Sequence, residues 1–326
     1  MNHKTMGLLI SHKNNEKRRA ILPEHVRLLR NPDKLYFETG YGASIGVSDE
    51  AYLQAGAHVV SRKEAYACDI ITDVKLGDAD YLNELDDGKI LFGWAHAAQS
   101  IDFTSKCLEK EFTVIAWEEI FEDGRYIFYR NREVAGEAAI MQAFCYYGKM
   151  PYDCKVAIIG NGQTAKGAMR VLHGLGAEVD VFGRKLEKLF RKRLYEYDVI
   201  VNCVMWDISR RDHLIYREDL KQMKPNSIII DVSCDPHLGI ETSHPTTISD
   251  PIYEIDGVVH YSVDNTPAMF PFTVTKVLSE GCVRLFDDVI EGTYTDALKA
   301  AVVIENGHIQ SKSVWNFREE RGILVK

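Results

Sequence analysis

Two sets of residues in this chain have the types and spacing to do chemistry. The first is Gly160-Asn161-Gly162-Gln163-Thr164-Ala165, a Gly-x-Gly-x-x-Ala pattern. Such a stretch can cradle a pyrophosphate. Gly160 permits a tight turn, Gly162 lets the backbone approach the phosphates, and Ala165 is small enough for close packing. If a helix starts there, its first N–H groups, from Gln163 and Thr164 onward, point a partial positive charge at the anion. The second set is Lys75 and His96, a cation and an imidazole able to give and take a proton near neutral pH. Either alone reads as ordinary hydrogen-bonded structure. Arg18 and Arg19, taken alone, read as solvated surface.

The elements around the glycines supply the context that the pattern needs. Val156 to Ile159 is an apolar run, read as a short buried strand. After the turn, Ala165, Met169 and Leu172 fall on one face of a helix. The next strand, Glu178 to Phe182, runs into Gly183-Arg184-Lys185. A site for NAD(H) carries Asp or Glu at that strand end to hold the ribose hydroxyls. Arginine instead suits a 2′-phosphate, which a guanidinium can grip through two hydrogen bonds. The spacing therefore predicts NADP(H) as cofactor. A solvated first turn of the following helix is the other reading of Arg184 and Lys185.

Short strands alternate with short helices along the first half: Met6 to Ser11, Lys34 to Glu38, His58 to Val60, Asp69 to Lys75, Lys89 to His96 and Thr113 to Trp117. This alternation predicts a parallel sheet. Ligands of open α/β sheets bind beyond the carboxyl ends of the strands, and Lys75 and His96 end two of them. In the second half the strands Asp198 to Val204, Ser227 to Val232 and Val258 to Val263 end near Cys203, Val204, Asp235 and Asn265, which fall on the cofactor side. Cys203 and Cys234 read as small core residues. The expected fold class is α/β, with two Rossmann-like domains, parallel sheets flanked by helices, and a cleft between them. Residues 1–136 with 285–326 form the expected substrate domain, and 137–284 the NADP-binding domain. Helices near 133–148 and 272–291 are expected to connect them, the second as one long helix from Phe272 to Glu291.

Composition narrows the function. At 326 residues the chain has room for about two domains, and 46% hydrophobic residues can fill two cores. The net charge of −9, with no basic block, argues against nucleic acid or an anionic membrane as partner. No apolar run approaches the roughly 18 residues of a membrane span, and the start of the chain does not read as a signal peptide. Seven cysteines without Cys-x-x-Cys pairs suit reduced thiols in a cytoplasmic protein, with no metal site.

A larger set of motifs resembles the alanine dehydrogenase and pyridine nucleotide transhydrogenase family over most of the chain. They are Asn14-Asn15-Glu16-Lys17-Arg18 with Pro23 downstream, Asp73-Val74-Lys75, Leu91 to His96, Glu133 to Gly136, Asp231 to Asp235, Glu241 to Thr247, Asp256 to Tyr261 and Asn265-Thr266-Pro267. The resemblance implies that Arg18 binds a keto-acid carboxylate and that Lys75 and His96 hold and protonate its carbonyl oxygen. It also implies that Asp235 and Asn265 lie near the nicotinamide. Gly183-Arg184-Lys185, the particular glycine turn and Pro236-His237 after Asp235 depart from the NAD-dependent alanine dehydrogenases. They are closer to the family members that use NADPH to join pyruvate to the side-chain amine of ornithine or lysine. Alanine dehydrogenase and saccharopine dehydrogenase-type activities are the alternatives, and a homodimer or homotetramer is the implied assembly. A zwitterionic amine donor needs both charges in its site, for which Arg130, Arg132, Glu133 and Glu137 are the candidates.

Overall fold

The computed structural model describes residues 3–207, 210–234 and 236–323. The chain forms two compact units, Met1–Phe128 with Pro271–Lys326, and Tyr129–Phe270. The first unit opens with β1 (Met6–Leu8), β2 (Leu35–Glu38), β3 (His58–Val60), β4 (Ile70–Asp73), β5 (Ile90–Gly93), β6 (Thr113–Ala116) and the hairpin β7 (Phe121–Glu122) and β8 (Arg125–Tyr126). The second unit holds β9 (Lys155–Ile159), β10 (Glu178–Phe182), β11 (Val199–Asn202), β12 (Ile228–Asp231), β13 (Ile252–Ile255) and β14 (Val258–Tyr261). The first unit then closes with β15 (Val302–Glu305) and β16 (His308–Ile309).

The first sheet runs β16-β15-β6-β5-β4-β1-β2-β3, with β1 to β6 parallel and β15 and β16 antiparallel at one edge. The order reverses between β1 and β4, and a crevice opens at the carboxyl ends beside such a switch point. The second sheet runs β10-β9-β11-β12-β14-β13, parallel except for β13. Its switch point lies beside β9, where the glycine turn begins. This is a two-domain α/β fold with parallel-rich sheets flanked by helices.

Strand periodicity accounts for the second core. Side chains of a strand alternate between faces. Val156 and Ile158 of β9 join Val199, Val201, Ile228 and Ile230 in one cluster. Ala157 and Ile159 join Ile200, Ile229, Phe182 and Phe190 in the other. Both faces are apolar because helices cover both, as parallel sheets require.

Two expectations about elements are corrected. Phe272 to Glu291 is not one helix. Helices Pro271–Cys282 and Phe286–Glu291 are separated by a turn in which Arg284 and Leu285 donate to the carbonyls of Gly281 and Cys282, three residues back. The tighter bonds break the helical ladder and redirect the chain while Leu285 and Phe286 stay buried. The apolar spacing on either side hid the break. The helix Tyr129–Tyr147 belongs whole to the second unit and Pro271–Cys282 to the first, so the units divide at 128/129 and 270/271, where 136/137 and 284/285 were expected.

Candidate active site

In the first unit, Arg18, Lys75 and His96 follow three neighbouring strands, β1, β4 and β5. Arg18 corrects the surface reading: it is 2% exposed and Arg19 is 3% exposed. Glu16 grips Arg18 through its carboxylate, accepting from Nε at 2.8 Å, from Nη2 at 2.5 Å and from the Arg18 backbone N–H at 2.9 Å. The guanidinium also lies 5.1 Å from the centre of the Trp94 ring. Trp94, just past β5, is itself held by its indole N–H donating to the Tyr126 hydroxyl at 2.8 Å. Arg19 donates to the Tyr41 and Arg18 carbonyls while Thr275 Oγ1 accepts its backbone N–H. It is a structural cation.

Lys75 is 8% exposed. Asp73, the last residue of β4, accepts the Lys75 backbone N–H at 2.8 Å and the Tyr81 hydroxyl at 2.9 Å. Burial pushes the Asp73 carboxyl up to about 6, against the pull of those two donors. The Lys75 ammonium lies 3.9 Å from Asp78.

The loops after β4 and β5 are pressed together. Asp73 pairs with Gly93 in register. A Cβ on Gly93 would stand 2.0 Å from the Asp73 carbonyl oxygen, and one on Gly77 would stand 2.2 Å from that of Ala95. The Gly77 N–H donates to the Trp94 carbonyl at 2.9 Å. Lys75 and His96 therefore sit on backbones in direct contact. His96 has φ 46°, a left-handed conformation, which costs on the order of 1 kcal/mol. Glu118, two residues past β6, accepts the N–H groups of His96 at 2.5 Å and Ala95 at 3.2 Å. Hydrogen bonds to a charged acceptor are each worth about 1.5–3 kcal/mol, enough to hold that conformation. Burial pushes the Glu118 carboxyl up to about 7, against the pull of those N–H groups.

In the second unit, β9 runs into Gly160, whose φ of 107° favours glycine, and a Cβ there would meet the Cys203 carbonyl oxygen at 3.0 Å. Gly162 is the N-cap of the helix Gln163–Gly174, with no side-chain cap, and nothing stands within 4 Å of where its Cβ would be. The helix start is thus open on the side from which a pyrophosphate approaches. The residues fit that group: Gln163, Thr164 and Ala165 are the first residues of the helix. Ala165 is fully buried in the cluster that holds Val156 and Ile158.

At the end of β10 no carboxylate is available for a ribose among the described residues. Asp180 is taken by the Tyr197 hydroxyl at 2.7 Å and by Arg193 at 3.2 Å. Glu187 accepts two bonds from Arg210, at 2.7 and 3.2 Å. Arg184, Lys185 and Lys188 are exposed and line a cavity of about 370 Å³ with Glu187, Arg191, Arg210, Asp212 and His213. Lys188 was not singled out in the sequence, though it lies one helical turn from Arg184.

Cys203 and Val204 follow β11. Burial raises the Cys203 thiol well above its ordinary range, which suits packing and not nucleophilic attack. The Val204 carbonyl accepts the Ser233 hydroxyl at 2.5 Å. Asn265, at φ 65°, precedes the short turn Thr266–Met269. Asp235 lies outside the described residues. The amine-donor candidates fare differently. Arg130 pairs with Glu133 and Glu137, and Arg170 pairs with both carboxylates too. Burial raises the Glu133 carboxyl, but the two arginines outweigh it and the net shift is downward. These groups join two helices of the second unit. Arg132 stands on the same helix, half-buried.

Residues 9–127 match the N-terminal domain of the alanine dehydrogenase/PNT family, and residues 183–314 match its C-terminal domain. An N(5)-(carboxyethyl)ornithine synthase of Clostridium botulinum is 32% identical over 292 residues, covering 84% of this chain and 91% of that protein. An alanine dehydrogenase 1 of Staphylococcus aureus is 28% identical over 336 residues, covering 90% of each. A solved L-alanine dehydrogenase superimposes with a TM-score of 0.82 at 24% identity, over 97% of this chain and 99% of that one. The last is a likeness of fold.

Proposed function

This chain belongs to the alanine dehydrogenase/PNT family, and on that premise we propose that it is an NADPH-dependent oxidoreductase that condenses pyruvate reductively with the side-chain amine of ornithine or lysine. The product is a carboxyethyl amino acid. The relative of that name and the departures from the NAD-dependent pattern support this reading. The observation that carries it is the shared location of Arg18, Lys75 and His96 on neighbouring strand ends, with the first two buried.

Each residue has a role in the proposal. Arg18, oriented by Glu16, takes the pyruvate carboxylate. Lys75 polarises the keto oxygen. The deprotonated amine attacks the carbonyl carbon. The oxygen takes one proton from the attacking nitrogen and one from His96 and leaves as water, and a protonated imine remains. NADPH supplies the hydride that reduces this imine carbon. Gly160, Gly162, Gln163, Thr164 and Ala165 cradle the cofactor's pyrophosphate, and Arg184 and Lys185, joined by Lys188, meet its 2′-phosphate. Cys203, Val204, Asn265 and Asp235 border the nicotinamide half. Arg132, half-buried on the helix Tyr129–Tyr147, is the candidate for the donor's α-carboxylate.

The test is NADPH oxidation with pyruvate across ornithine, lysine and ammonia. Turnover with ornithine or lysine, and little with ammonia, is expected. Ammonia as the sole effective donor identifies an alanine dehydrogenase, and oxoglutarate in place of pyruvate a saccharopine-type enzyme. No oxidation with any pair overturns the proposal. Arg184→Asp should move the preference from NADPH toward NADH by about tenfold or more, the equivalent of about 1.4 kcal/mol, as read from kcat/KM for the two cofactors. An unchanged ratio removes Arg184 from the 2′-phosphate site.

A further inference from the structure

We infer that Glu118 is a positioning residue: by holding the backbone N–H groups of Ala95 and His96 it fixes the imidazole for proton transfer. The inference rests on the proposed role of His96 as proton donor. Three observations carry it. First, one carboxylate accepts two successive N–H groups, His96 at 2.5 Å and Ala95 at 3.2 Å. Second, His96 is in the left-handed region at φ 46°, so the direction of its side chain depends on a backbone conformation that needs outside support. Third, the loop has another wall. On the β4 side Gly77 N–H donates to the Trp94 carbonyl, and the Gly77 backbone lies too close to Ala95 for any Cβ. The loop is pinned by backbone on that side and by the Glu118 carboxylate on the β6 side.

Glu118 comes from a short turn, Trp117–Glu119, anchored by the fully buried Trp117. Its carboxylate is therefore delivered from a rigid element. Asp73 does the equivalent at Lys75 from the end of β4, two residues back along the chain. At His96 the support arrives across the sheet, from the adjacent strand end, so it can be altered without touching the residues of the β5 loop.

The experiment is Glu118→Gln. Glutamine keeps the volume and one acceptor oxygen, but it turns an amide N–H toward the second backbone donor. With pyruvate and the best amine, kcat should fall about 10- to 100-fold, the scale of a small misplacement of a reacting group. KM for pyruvate and NADPH affinity should not move, while Tm should fall by a few degrees because one backbone N–H loses its acceptor. A role in stability alone would lower Tm and leave kcat. In a His96→Ala background the same substitution should cost nothing further, since a residue acting through His96 is non-additive with it. The backbone amide proton of His96, followed by NMR without substrate, should be strongly deshielded and should move upfield in the variant. If Glu118→Gln does not fold, Glu118→Asp, one methylene shorter, should shift the same resonance and slow turnover. Full kcat in the variant that folds, or an equal further loss in the His96→Ala background, overturns the inference. Absence of turnover with every amine refutes the functional reading instead, and the amide resonance then decides the positioning: an unmoved resonance overturns it.

Discussion

Arg18 is gripped by the protein before a substrate arrives. Glu16 occupies its Nε and Nη2, and both side chains are essentially excluded from solvent. This changes how the residue must be tested. Removing one partner of a buried ion pair costs about 3–5 kcal/mol, because the other charge is left in a low dielectric. Arg18→Ala thus lowers stability along with pyruvate binding, and a loss of activity in it proves little. Arg18→Lys keeps the charge and gives up the planar fork. Losing one charge-assisted hydrogen bond to the substrate carboxylate, about 1.5–3 kcal/mol, should raise the KM for pyruvate by about 10- to 100-fold. The ornithine KM should stay level. Steady-state kinetics with one substrate varied at a time checks this, and a rise shared by both substrates would remove Arg18 from the carboxylate site. The sequence made Arg18, Lys75 and His96 legible because they end apolar runs or sit in motifs. Glu118 was not legible. A carboxylate that reaches across a sheet to two backbone N–H groups leaves no spacing pattern near either end.

At the scale of elements, glycines divide into two kinds that the sequence does not separate. Gly162 caps the helix Gln163–Gly174 at φ −76°, in open space. Gly167 lies inside that helix, and a Cβ on it would stand 1.9 Å from the Glu133 carbonyl oxygen. Gly136, on the helix Tyr129–Tyr147, meets the Thr164 carbonyl oxygen in the same way at 2.0 Å. The two helices cross backbone to backbone through these glycines, and the Glu133, Glu137 and Arg170 ion pairs bridge them. Opposite outcomes follow from one added methyl group. Gly167→Ala should force the helices apart and cost about 1–3 kcal/mol, as overpacking does, seen as a lower Tm. Gly162→Ala should leave Tm unchanged and weaken NADPH binding about tenfold or more, the equivalent of about 1.4 kcal/mol, since its methyl occupies room that a phosphate needs. NADPH titration by fluorescence, with melting curves for both variants, checks the pair. A Gly162→Ala protein that binds NADPH normally would place the pyrophosphate elsewhere. The strand–turn–helix pattern revealed the turn. It gave no hint of Gly136 and Gly167 meeting, because that contact joins segments about thirty residues apart.

At the scale of the molecule, the alternation of short strands with short helices gave the parallel sheets, while the division into units depended on which core each long helix packs against, which periodicity does not record. One buried group then ties the stability of the second unit to pH. His260 on β14 is 1% exposed, its Nδ1 paired with the Val258 carbonyl at 3.0 Å and its Nε2 with the Thr242 hydroxyl at 2.8 Å. Carbonyl oxygen only accepts, so Nδ1 carries the proton and Nε2 accepts. Burial holds the imidazole neutral and lowers its pKa to about 4, from the ordinary 6.5. Between those values the unfolded chain binds a proton that the folded chain refuses. Stability contributed by the neutral ring is therefore present above about pH 6.5 and is lost as the pH falls toward 4. At about 1.4 kcal/mol per pH unit, the loss by pH 5 is about 2 kcal/mol. A ligand raises only a transition of the state that binds it, so under the proposed cofactor site NADPH would mark the unfolding of the second unit. That transition should fall between pH 7 and pH 5 in the native protein, and His260→Gln should flatten the fall. Parallel slopes in the two proteins would show that other carboxylates and histidines, and not this ring, set the acid limit.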